Sequence, residues 1–306
     1  MKKINMKLLL CGSIFLVGLI TMAQQDPNYT LYRYNMNLVN PAYAGAQDGP
    51  EGRNLKNNSE IGLSLRSQWA GVQGAPETQS VFFGTGLGKN VGFGVSVIND
   101  RTFIESQTFI GVDVSYKVKL DQKTDLYLGI KAGANSYNVN TAGLTTFGVN
   151  ADPSLSNLEG NFSPNIGAGA YLKGEDYFLS FSVPKVLTPE RIEQGDGIAQ
   201  LGRNRIHMYL SAGYDIKIGG TGVTFKPSAL ARYVDAAPLS IDFTGLFSFN
   251  KIDVGAGYRL DEGLSGLAII NAADWLDFGY AYEFTTESPI SSGSMGTHEL
   301  FIKLAL

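Results

Sequence analysis

Few residues of this chain have the types and spacing that catalysis needs. Its two histidines, His207 and His298, each fall at the start of a segment with β-strand periodicity. A serine–histidine–acid site needs a carboxylate that orients the histidine, but Glu299 would point to the opposite face of a strand from His298. Ser182 and Lys185 have the Ser-x-x-Lys spacing, yet they close a strand rather than open a helix. The sequence therefore predicts no catalytic residue and no enzyme activity.

Metal, phosphate and nucleic-acid sites also lack their signatures. Residues 150–152 contain Asn and Asp without the spacing of a calcium-binding loop, and the glycines of 84–88 precede no helix that would bind phosphate. The chain carries 24 basic and 28 acidic side chains, a formal net charge of −4, and no basic patch. We expect no metal ligand, no cofactor and no nucleic-acid partner.

Residues 1–23 have the pattern of an export signal. Lysines precede an apolar run over residues 8–20, and Thr21 and Ala23 occupy the positions before the cleavage site that favour small side chains. A membrane anchor is the alternative, but the apolar run is too short for one. The only cysteine, Cys11, lies in this segment, so we expect the exported chain to contain no thiol and no disulfide.

The rest of the chain is dominated by alternating apolar and polar residues. From Ile110 to Val118 one face carries Ile, Val, Val, Tyr and Val, and the other carries Gly, Asp, Ser and Lys. A helix would not keep a period of two over such a length. The pattern predicts an all-β chain with about fourteen strands. They lie near residues 59–69, 77–87, 91–99, 107–118, 125–135, 163–172, 176–184, 206–217, 223–233, 238–249, 252–260, 263–271, 275–285 and 297–306.

Loop lengths indicate that residues 59–306 form a transmembrane antiparallel β-barrel. Connections after even-numbered strands are short, and the long ones, 136–162, 185–205 and 286–296, follow odd-numbered strands. Outer-membrane barrels have short periplasmic turns and longer outer loops. A secreted β-sandwich would also alternate, but it would not explain this rhythm. We expect a location in the cell outer membrane, contact with its lipid, and both termini in the periplasm.

The presumed inner face carries charges of both signs. The basic residues are Arg66, Lys117, Lys131, Lys226, Arg232, Arg259 and Lys303, and the acidic ones are Asp113, Asp215, Asp242, Asp253, Asp277, Glu283 and Glu299. A selective ion pore would show a ring of one sign. The balance fits either paired charges across a filled or narrow lumen, or charges that solvate an open channel.

Residues 24–58 do not alternate, and we expect them to be an N-terminal docking or plug segment. Their first part is rich in Tyr and Asn, and tyrosine suits a segment that packs on a polar wall, since its ring is apolar and its tip is polar. Within Asn40–Gly45, Pro41 fixes φ and Gly45 allows a positive φ, which predicts a turn. Tyr43 would then insert into the barrel wall. We place the segment at the periplasmic mouth or inside the barrel.

The chain resembles the PorP/SprF-type outer-membrane proteins of the type IX secretion and gliding machinery of Bacteroidetes. The resemblance rests on Gln25-Asp26-Pro27, the block Asn40-Pro41-Ala42-Tyr43-Ala44-Gly45, Arg66-Ser67-Gln68-Trp69, Gly74-Ala75-Pro76 and His298-Glu299. It implies a barrel that assists secretion or surface anchoring of a large cargo protein or adhesin, together with other type IX components. The residues expected to bind a partner or to plug the lumen are Asn40, Pro41, Ala42, Tyr43, Gly45, Arg66 and Trp69. The alternative for the block is that it seals the lumen and touches no partner.

Two other functions stay open at this point. A transporter for a hydrophobic or small solute, similar to the FadL fatty-acid transporters, would also use about fourteen strands, with residues 24–58 as a movable plug. An outer-membrane enzyme is disfavoured because the catalytic set is missing.

Overall fold

The computed structural model describes residues 26–46, 59–140, 161–187, 190–195, 198–203, 205–235, 237–285 and 293–306. The predicted signal at 1–23 lies outside these residues, as do parts of the three long connections. Two 3-10 turns, Tyr32–Tyr34 and Pro41–Tyr43, flank a single-turn helix, α1 (Met36–Val39). No helix in the described part of the chain is long and apolar enough to cross a membrane.

In the part of the chain that the structure describes, seventeen strands follow this segment. They are β1 (Ser59–Ser67), β2 (Glu77–Gly88), β3 (Val91–Thr102), β4 (Glu105–Lys119), β5 (Asp125–Val139), β6 (Asn161–Lys173), β7 (Tyr177–Val183), β8 (Glu190–Gly195), β9 (Ile198–Arg203), β10 (His207–Tyr214), β11 (Ile216–Ile218), β12 (Val223–Val234), β13 (Ser240–Phe249), β14 (Ile252–Arg259), β15 (Gly263–Ala273), β16 (Leu276–Thr285) and β17 (Thr297–Ala305).

The strands close into a barrel with fourteen strand positions in its wall, here called staves, as the sequence predicts. Strands β1 to β7 pair in chain order, β7 pairs with β10, β10 pairs with β12, and β12 to β17 continue in order until β17 pairs with β1. Strands β10 and β11 both pair with β12, so they count as one stave. All these pairs are antiparallel. Strands β8 and β9 form a separate hairpin within 185–205, where the sequence predicted only a loop.

The two faces of the staves explain the alternation. On β4, Val112 is 41 % exposed and points outward, while its neighbour Asp113 is 2 % exposed and points inward. Exposed large apolar side chains recur around the barrel, as Leu128 and Ile130 do on β5 and Leu300 does on β17, while the outward valines of β3 are half-buried. Apolar surface on this scale is unfavourable in water, and a lipid-facing band of this kind is the mark of a membrane barrel.

The barrel has two different ends. The short-turn end carries the connections 89–90, 120–124, 174–176, 219–222, 250–251 and 274–275, and the long-loop end carries 68–76, 140–160, 184–206 and 286–296, among others. The chain's last residue, Leu306, donates its backbone N–H to Ser59 O at the short-turn end. Strand β1 therefore starts, and β17 finishes, at the same end.

The N-terminal segment runs from one end of the barrel to the other. Asp26 contacts Lys185, which follows β7 at the long-loop end. Ala46 O accepts a hydrogen bond from Lys173, the last residue of β6 at the short-turn end. An even strand count correctly places residue 59 and Leu306 together, but Asp26 lies at the opposite end because residues 26–46 cross the lumen.

The lipid-facing band makes a first prediction. Val112→Lys places a cation at mid-height on the outward face of β4 and should destabilise the barrel by about 2–4 kcal/mol. Val118→Lys, on the same face near the short-turn end, should cost only about 0–1 kcal/mol because it lies near the lipid headgroups. Urea unfolding in lipid vesicles measures both. Equal effects of the two substitutions would contradict the assignment of this face to lipid.

Candidate functional site

The candidate site is the lumen, which residues 26–46 occupy. Side chains of this segment reach wall residues on widely separated staves, which is possible only from inside the barrel. The contacts are Tyr29 Oη with Ser80 Oγ (2.6 Å), Arg33 Nη2 with Asp215 (2.5 Å), Tyr34 Oη with Asp253 (2.9 Å) and Asn37 Nδ2 with Glu60 (2.5 Å). The apolar side chains Leu31 and Leu38 pack in one cluster with Phe82, Leu246 and Phe301 of the wall. The segment thus supplies the core of the barrel.

A cluster of buried charged side chains binds the segment near the long-loop end. Arg66 donates from Nη2 to Glu283 (2.7 Å) and from Nη1 to Glu299 (3.2 Å). Glu299, 0 % exposed, accepts the backbone N–H groups of Thr30 (2.7 Å) and Leu31 (3.3 Å). A buried carboxylate needs such partners because its charge has lost water. The sequence gives Arg66 and both acids as inner-face charges, but nothing in it shows that they hold Thr30 and Leu31.

Most inner cations lie opposite an acid on a neighbouring stave or reach one nearby. Four cross-strand pairs are Arg66 with Glu299, Lys131 with Asp113, Arg259 with Asp242 and Lys303 with Asp277. Lys226 reaches Asp253 on β14 at 3.1 Å. Lys117 differs, since it lies half exposed beside Asp125 at 3.8 Å. The balanced charges are therefore largely paired across a filled lumen. The sequence missed Glu60, which binds both Asn37 of the segment and Lys303 of the wall.

The block Asn40–Gly45 is bound to the wall of β4 to β7. Asn40 Oδ1 accepts the N–H of Ala42 (2.9 Å), and its Nδ2 donates to Ser180 Oγ on β7 (2.7 Å). Tyr43 meets the ring of Tyr171 on β6 edge-on, with centroids 5.2 Å apart. Gly45 has φ +76°, a conformation that side chains disfavour. All five predicted residues of the block lie against the inner wall.

Glycines on three staves, which carry no side chain, make room for this block. A Cβ at Gly129 of β5 would lie 2.3 Å from Ala42 N, and one at Gly92 of β3 would lie 2.1 Å from Ala44 O. A Cβ at Gly169 of β6 would lie 2.0 Å from Asn40 Oδ1. No side chain fits at such distances, so these glycines form a groove whose occupant is the segment. The abundance of glycine in the sequence was the only signal for it.

The other two predicted residues, Arg66 and Trp69, lie in different places. Arg66 binds Thr30 of the segment through Oγ1 at 3.0 Å. Trp69 lies in the connection after β1 with φ +50°, and its N–H donates to Thr297 Oγ1 at 3.3 Å. It lines a cavity of about 610 Å³ at the long-loop end rather than the groove.

Asp26 anchors the segment at the long-loop end through Lys185 at 2.8 Å. Burial raises the pKa of Asp26, but the positive charge of Lys185 and further basic neighbours outweigh it and lower the pKa to about 2. Asp26 is therefore ionised at neutral pH.

The two histidines lie apart from each other. His207 is buried and stacks on Tyr209, whereas His298 faces outward and contacts Tyr280 Oη at 2.8 Å. Among the described residues, no group of three or more His, Cys, Asp or Glu side chains is arranged to hold a metal ion.

Comparison with known proteins places the chain among membrane proteins. The model of one family, described as type IX secretion system membrane protein PorP/SprF, matches residues 21–304. No curated protein sequence matches the chain.

Solved structures of outer-membrane barrels resemble the fold. The outer membrane protein Omp33 of Acinetobacter baumannii has a TM-score of 0.45 at 12% identity, over 81% of this chain and 98% of that one. The toluene transporter TbuX of Ralstonia pickettii has a TM-score of 0.44 at 10% identity, over 87% and 90%. A variant of the monoaromatic hydrocarbon channel TodX has a TM-score of 0.48 at 10% identity, over 88% and 91%.

The glycine groove makes a second prediction. Gly129→Ala forces its Cβ onto the backbone of Pro41 and Ala42, so it should displace the block at a cost of about 1–3 kcal/mol. Gly266→Ala is the matched control, because a Cβ there meets nothing within 4 Å. In a variant carrying Ala44→Cys as the reporter, maleimide should label the thiol faster with Gly129→Ala than with Gly266→Ala. Equal labelling rates would refute the role of the groove.

Proposed function

The chain belongs to the PorP/SprF family of type IX secretion system membrane proteins, and we propose that it is a non-enzymatic barrel that assists secretion or surface anchoring of a large cargo protein or adhesin. It is an outer-membrane β-barrel of that family. The observation that carries the proposal is the filled lumen, because a barrel whose interior is occupied by its own chain offers partners its two ends instead of a path for solute.

The bonds that hold the segment support this reading. They include the ion pairs Asp26–Lys185 and Arg33–Asp215, and the hydrogen bonds of Glu299 to two backbone amides. Opening a path would break these bonds, and the cost would be greatest at Glu299, whose carboxylate is fully buried. In the proposed domain organisation, residues 1–23 are the signal peptide, 24–58 the plug, and 59–306 the barrel.

The orientation follows from the lengths of the connections. Short turns face the periplasm and long loops face the cell surface in barrels of this kind. We place Leu306 in the periplasm and Asp26 inside the lumen toward the outer mouth. Type IX components would then meet the short-turn end, and the surface protein would meet the long-loop end.

The proposed docking surface for cargo is the long-loop end, with the connections 136–162, 185–205 and 286–296. At the base of the second connection, Asn165 accepts the N–H groups of Val186 (3.0 Å) and Leu187 (3.2 Å). This bonding fixes the backbone and leaves the side chain of Leu187 43 % exposed. An ordered, exposed apolar residue beside a loop hairpin suits contact with a protein surface.

A photocrosslinker tests the docking proposal. Placed at Leu187 in living cells, it should form an adduct with an outer-surface protein that carries a type IX secretion signal. The matched control is the same group at Leu120, which is 54 % exposed at the short-turn end. Adducts with surface proteins from Leu120 alone, or none from either site in cells that secrete type IX cargo, would overturn the proposal.

Planar-bilayer conductance separates this function from a solute transporter. The intact protein should show no steady conductance, and deletion of residues 26–45 should open a permanent pore, since the wall itself is polar. Gly129→Ala, which displaces the block without deleting it, should give intermittent openings. Steady conductance or solute flux through the intact protein would favour the transporter with a movable plug.

A further inference from the structure

The cavity at the long-loop end has a floor, a wall and a rim. Its floor is the start of the lumen segment, Asp26–Asn28 with Thr30. Its wall comes from β12 to β17 on one side and from β2 and β3, with Thr78 and Asp100, on the other. Trp69 and the turn residues Asp261 and Glu262 form the rim. Its volume, about 610 Å³, is in the range of sites that bind small molecules.

Among the described residues, one buried cation in this cavity has no ion pair with an acid. Arg232 of β12 lines the cavity and is 4 % exposed. Within the described residues, its Nε and Nη1 atoms make no hydrogen bond. Its cross-strand neighbours are Tyr209 and Ser240, neither of which is an acid.

Of the acids that line the cavity, all but Asp261 at the rim are bound to other groups, Glu262 among them through Arg259. Asp242 and Glu283 bind Arg259, and Asp26 binds Lys185. Asp100 accepts the hydroxyl of Thr78 at 2.6 Å. Among the ion pairs of the described residues, none joins one of these acids to Arg232. A guanidinium offers a planar fork of donors that matches a carboxylate, so the missing partner is an anion that enters the cavity.

We propose that this cavity binds a small zwitterionic carboxylate, a free amino acid or short peptide, with its carboxylate on Arg232 and its ammonium toward the acidic wall. The acids that line the cavity favour some anions over others. A dianion such as phosphate would meet more repulsion from Asp26, Asp100 and Asp242 than a single carboxylate would, whereas an ammonium group is attracted to them. The site lies beside the lumen segment and does not depend on the secretion role.

Calorimetry on the detergent-solubilised protein tests the site with a matched pair of probes. Tetraalanine carries both an ammonium and a carboxylate, and tetraalanine amide lacks only the carboxylate. Tetraalanine should bind the intact protein, and the amide should bind at least about tenfold more weakly, the equivalent of one lost charge-assisted hydrogen bond. Equal affinities, or no binding of tetraalanine at millimolar concentration, would overturn the proposal.

Two substitutions localise the binding. Arg232→Met should abolish the difference between the probes, and Arg232→Lys, which keeps the charge and loses the fork, should weaken tetraalanine binding less. Arg101→Gln, at an exposed arginine of the same end, should change nothing. Heat-modified migration on a gel reports whether each variant forms a barrel. If Arg232→Met fails to fold, Arg232→Gln takes its place as the neutral variant, and an unchanged preference for tetraalanine in it would place the carboxylate elsewhere.

Discussion

A buried charge must find a partner, and this constraint organises the interior of the barrel. Four inner cations lie opposite acids on neighbouring staves, as Arg259 does with Asp242. Acids of the wall also accept hydrogen bonds from the lumen segment. Glu299 accepts both the guanidinium of Arg66 and two backbone amides of the segment. Wall and segment therefore satisfy each other's polar groups, and removing the segment would leave polar groups of the wall without their protein partners.

Shape acts together with charge. Leu31 and Leu38 of the segment pack against apolar side chains of the wall. Where the backbone of Asn40–Gly45 passes, the wall has glycines on β3, β5 and β6, which leave room for it. The segment spans the lumen from Lys185 to Lys173, so it contacts the wall at both ends of the barrel.

The proposed function depends on the two ends of the barrel. The lipid-facing band lies in the membrane, and residues 26–46 occupy the lumen. What remains free is the short-turn end, and a long-loop end that carries a hairpin, the exposed Leu187 and a cavity containing Arg232. Membership in a family of secretion-system membrane proteins fits a molecule of this form.

The sequence alone determined the number, position and facing of the staves, because lipid on one side and polar groups on the other impose a period of two. It also indicated the turn at Asn40–Gly45. Only the tertiary structure decided where that segment goes. The bond from Thr30 to Glu299 joins residues 269 positions apart, and alternation carries no information about such a contact. For the same reason the crossing of the lumen, the place of Asp26 and the unpartnered guanidinium of Arg232 emerge only when the barrel closes.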